Sequence, residues 1–118
     1  ALAAALGELR QSPARPGADV EKPHWVVADV ATDLDAARLL TYTAAQSGQE
    51  SDIALARLMT TAAATRAVDA AVRVLGAEAV RAGSLVERLA RDVRAVSVLQ
   101  GTEENHRALA AGFVIGTK

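Results

Sequence analysis

The sequence predicts an all-α protein, an up-down four-helix bundle, and three observations carry that expectation. Apolar residues recur at spacings of three and four along most of the chain. Glycine and proline fall between those runs rather than inside them. No stretch of useful length alternates apolar and polar residues as a half-buried strand does. The 118 residues suit a single domain, 1–118, with a modest core. The hydrophobic fraction is 51% but aromatics reach only 3%. Alanine, valine and leucine therefore supply the apolar surface, as expected of closely packed helices.

Residues 1–11 form the end of a helix that reads as having begun further upstream, and residues 12–20, with Pro13, Pro16 and Gly17, form a loop. The bundle core is 21–118. Its first helix opens near Glu21 to Pro23, because proline is tolerated in a first turn. Trp25, Val26, Val30, Leu34, Ala37, Thr41 and Ala44 form its buried stripe, with Trp25 as a core anchor, and Ser47-Gly48 stops it. Ser51-Asp52 is an N-cap type of start for the next helix, which runs to Leu75 and ends at Gly76. Its core candidates are Leu55, Leu58, Met59, Ala62, Val68, Val72 and Leu75. Glu78 to Ser84 connects to a helix from Leu85 to about Arg94, with Glu87/Arg91 and Arg88/Asp92 at i,i+4 spacing. Val93 to Leu99 either extends that helix or crosses the core irregularly. A last helix begins near Gly101-Thr102 and continues through Leu109 and Phe113.

A net charge of -1 and a pI near 6.1 give no electrostatic reason for binding nucleic acid or an anionic membrane. No apolar run is long enough to insert into a bilayer. The chain has no cysteine, so it has no disulfide, thiolate metal site or cysteine nucleophile, in keeping with a cytoplasmic location. His24 and His106 do not form a two-histidine metal spacing, so no metal is expected and surface or capping roles are the default for both.

Three segments go beyond periodicity. Residues 28–40, ADVATDLDAARLL, resemble the ADMATELEAARLL segment of acyl-CoA dehydrogenases. Residues 86–94, VERLARDVR, resemble their VERxxRDAR segment, and residues 99–107, LQGTEENHR, their YEGTSEIQR segment. The order is that of the family's C-terminal helical bundle. The resemblance implies an FAD-dependent oxidoreductase of fatty acid metabolism that oxidises the CH-CH bond of an acyl-CoA. It also implies a homo- or hetero-oligomer assembled by helix packing.

In that family a glutamate of the YEGT motif removes the proton alpha to the thioester. Here the matching residue is Gln100, whose amide has no useful basicity. Branches with their carboxylate on an earlier helix would place it before Ala1. The chain alone is therefore expected to be inactive. The family's RxFG segment, which reaches a neighbouring subunit's flavin, is matched by Arg10-Gln11, with Ser12-Pro13 in place of the aromatic-glycine pair. At the family's paired-glycine turn the chain has Arg73 through Gly76, with Ala77 for the second glycine. Arg73 then either pairs with a cofactor phosphate or is a solvated helix arginine. Gly101 and Thr102 match the family and either meet the flavin at a helix N-terminus or simply cap that helix. Two alternatives stand beside the enzyme reading: a non-catalytic assembly subunit of a heteromeric acyl-CoA dehydrogenase, and an unrelated helical interaction domain.

Overall fold

The computed structural model describes Gly7, residues 21–99 and residues 101–116, with the side chains of 21–23 left aside. The expected helix end at 1–11 and loop at 12–20 lie outside that range, apart from Gly7. Four α-helices and no strand occur among the described residues: α1 (Glu21–Ser47), α2 (Glu50–Leu75), α3 (Leu85–Leu99) and α4 (Glu103–Ile115). A 3-10 turn, Gly76–Val80, joins α2 to α3.

The boundaries follow local chemistry. Gly48, at φ 63°, closes α1 by donating its N–H to the Ala44 carbonyl at 3.0 Å. Gly76, at φ 65°, closes α2 through the Val72 carbonyl. The start of α2 falls slightly earlier than the expected cap at Ser51-Asp52. Gln49 is the N-cap residue, and Ser51 is buried in the first turn. Asp52 instead accepts a 2.6 Å hydrogen bond from Ser47 Oγ, which in turn accepts the Gln49 N–H at 3.2 Å, so Ser47 ties the α1–α2 turn. The apolar stretch after Arg94 extends α3 to Leu99.

Helix α2 is the hub: it packs against α1, α3, α4 and the 3-10 turn. One core, between α1 and α2, joins Val30, Ala67 and Ala70 with Val26 and Leu34. The other joins Val68, Ala71, Ala79 and Val86 with Leu75, Leu89 and Val93, between α2, the 3-10 turn and α3. The buried apolar residues are alanines and valines throughout. Each methylene-sized group so buried contributes about 0.8 kcal/mol, so stability accumulates from many small contacts.

Two core expectations are corrected. Trp25 is 61% exposed. The stripe begins at Val26, and one residue turns a helix by about 100°, enough to swing the indole away from α2. On α2, Leu55 is 39% exposed, while Ala54, Ala56, Ala63, Ala67, Ala70 and Ala71 are buried. A helix with neighbours on several sides buries more than one stripe, and alanine allows close backbone approach from each.

Ion pairs lie on the surface. Arg66 reaches from α2 to Asp33 on α1 at 2.6 Å, and Glu87 pairs with Arg91 at 2.7 Å as expected. Among the described residues Arg88 and Asp92 form no such pair.

Candidate functional site

The last helix starts with a tight turn. Gly101 has φ 97°, a conformation that strains any residue with a Cβ, and its N–H meets the Val98 carbonyl at 3.4 Å. Thr102 is the N-cap of α4, and its Oγ1 accepts the Asn105 N–H at 3.4 Å. The Thr102 carbonyl accepts the His106 N–H at 3.3 Å. The N–H groups of Glu103 and Glu104 have no partner within the helix, so the turn presents backbone donors at the positive end of a helix dipole.

A cavity of about 240 Å³ opens beside this turn. Helix α2 contributes Arg57, Leu58 and Thr61, α3 contributes Ser97 and Val98, and the turn adds Gly101, Thr102, Glu103 and His106. Arg57 brings a permanent positive charge. Glu103 carries the nearest carboxylate, but it is paired with Arg107 at 2.5 Å along α4. The arrangement suits binding of a polar or anionic edge.

Of the sequence-predicted site residues, Gly101 and Thr102 sit together at this cavity. Arg73 and Gly76 lie at the C-terminal end of α2, away from it, and both are exposed. Gly76 is accounted for there as a helix terminator. Arg10 and Gln100 lie outside the described residues.

Sequence reasoning missed Arg57, Thr61 and His106. His106 is half-buried rather than a surface group. The available signal was its helical phase: it lies four residues before Ala110, the buried residue of α4. Arg57 and Thr61 had no signal, since a polar residue on a long alanine-rich helix reads as solvated.

Comparison with known proteins shows the family. The family model described as "Acyl-CoA dehydrogenase, C-terminal domain" matches residues 2–115, so the chain belongs to that family. That excludes an unrelated helical interaction domain. The chain is similar to the 3-sulfinopropanoyl-CoA desulfinase of Paraburkholderia xenovorans (strain LB400), 31% identical over 99% of this chain and 31% of that protein. The desulfinase of the same name from Variovorax paradoxus is 34% identical over 88% of this chain and 27% of its own length. The mitochondrial short-chain specific acyl-CoA dehydrogenase of Rattus norvegicus is 30% identical over 92% of this chain and 27% of its own. The chain thus spans less than a third of each relative named.

Proposed function

We propose that this chain is the C-terminal bundle of a cytoplasmic, FAD-dependent protein acting on an acyl-CoA thioester, and that position 100 does not take the alpha proton. The carrying observation is Gln100 where the resemblance places the family's base, directly before a Gly101-Thr102 turn with a positive φ at Gly101. Bound FAD would supply hydride acceptance. Gly101, Thr102 and Arg57 would hold its edge, and a neutral amide would leave the alpha proton in place. A carboxylate base typically contributes about 10²–10⁴ in rate. In the full gene product, wild type is therefore expected to oxidise a saturated acyl-CoA slowly with an artificial electron acceptor. Gln100→Glu is expected to raise that rate by about 10²-fold or more. A wild-type rate equal to that of the variant would overturn this reading.

The desulfinases among the relatives favour a second reading. Replacing a sulfinate on the beta carbon by hydrogen, with water supplying the proton and the third sulfite oxygen, removes no hydride in the net reaction. A site lacking the dehydrogenation base is compatible with that chemistry. Sulfite release from 3-sulfinopropanoyl-CoA without added electron acceptor is the expected sign; its absence would leave the assembly role. That role has its own support: Val98, Leu99 and Phe113 are 77%, 82% and 69% exposed, an apolar surface suited to helix packing with another chain.

A further inference from the structure

We infer that His106 is a positioning residue that braces the α3–α4 turn and so sets the backbone donors of that turn. A Cβ built on Gly101 would lie 3.4 Å from His106 Nε2 and 3.7 Å from Cε1, so the imidazole packs directly over the glycine Cα. The same side chain lines the 240 Å³ cavity together with Arg57, Leu58 and Thr61 of α2. Its own N–H is bonded to the Thr102 carbonyl, so ring and backbone grip both residues of the turn. The ring stands at van der Waals distance from the open side of Gly101, so the positive-φ turn is contacted from one turn further along α4. Without a planar polar group at 106, Gly101 and Thr102 would be free to sample other dihedrals, and the donors of Glu103 and Glu104 would lose their fixed aim. The link to flavin rests on the proposed function, whereas the hold on the turn does not.

The test uses the full gene product with His106→Ala and His106→Gln, the latter restoring a planar polar group of similar reach. Hydrogen exchange of the backbone amides from 101 to 106 is expected to quicken about tenfold in His106→Ala and to recover in His106→Gln. Exchange in α1 and the thermal midpoint should stay unchanged. FAD affinity, read by flavin fluorescence, should fall and recover in the same order. Unchanged exchange at the turn overturns the inference, and so does quickening spread evenly over all helices. Wild-type FAD affinity in His106→Ala overturns the flavin link. If wild type binds no FAD at all, the proposed function fails, while the exchange measurement still decides the role of His106.

Discussion

Gly101 and Thr102 show how a pair of residues can be read from sequence and still need coordinates to be understood. Their place at a helix start was legible, because threonine two residues after an apolar run and before two glutamates is a capping pattern. The positive φ that calls for glycine at 101, and the His106 ring beside it, were not. Gly101→Ala is expected to destabilise by about 1–2 kcal/mol, the cost of a Cβ at positive φ, and urea unfolding measures it. Thr102→Ala removes the cap hydrogen bond and should cost about 1 kcal/mol by the same assay. Trp25 is the contrasting error. Its size argued for the interior, but helical phase overruled size.

At the scale of elements, helix existence and order were legible because glycine and proline punctuate the chain at nearly every boundary. The ends of α1 and α2 at Gly48 and Gly76 follow directly. Packing partners were not legible. Alanine gives a weak periodic signal, so the sequence pointed to leucines on α2 when its contacts are made by methyl groups. Ala63 and Ala71 are fully enclosed, and Ala71→Leu is expected to cost about 1–3 kcal/mol by overpacking, seen as a lowered thermal midpoint. The Asp33–Arg66 bridge joins α1 to α2 but is partly solvated on both sides. A double-mutant cycle should return a coupling below about 1 kcal/mol that shrinks as salt is added.

For the whole molecule, composition gives no electrostatic reason for a nucleic-acid partner, and the assembly question falls to the exposed surface. Leu99, Val114 and Ile115 stand largely in solvent, at the C-terminal ends of α3 and α4. Self-association is therefore expected, and light scattering at increasing concentration measures it; a strict monomer throughout would count against helix-mediated assembly. The position of α2 has a further consequence. Arg57 and Arg73 are separated on it by sixteen residues, or about 24 Å of straight helix. The helix acts as a fixed ruler that holds the two positions apart. Removing Arg73 and removing Thr102 should then change ligand affinity independently, the two losses in binding free energy simply adding.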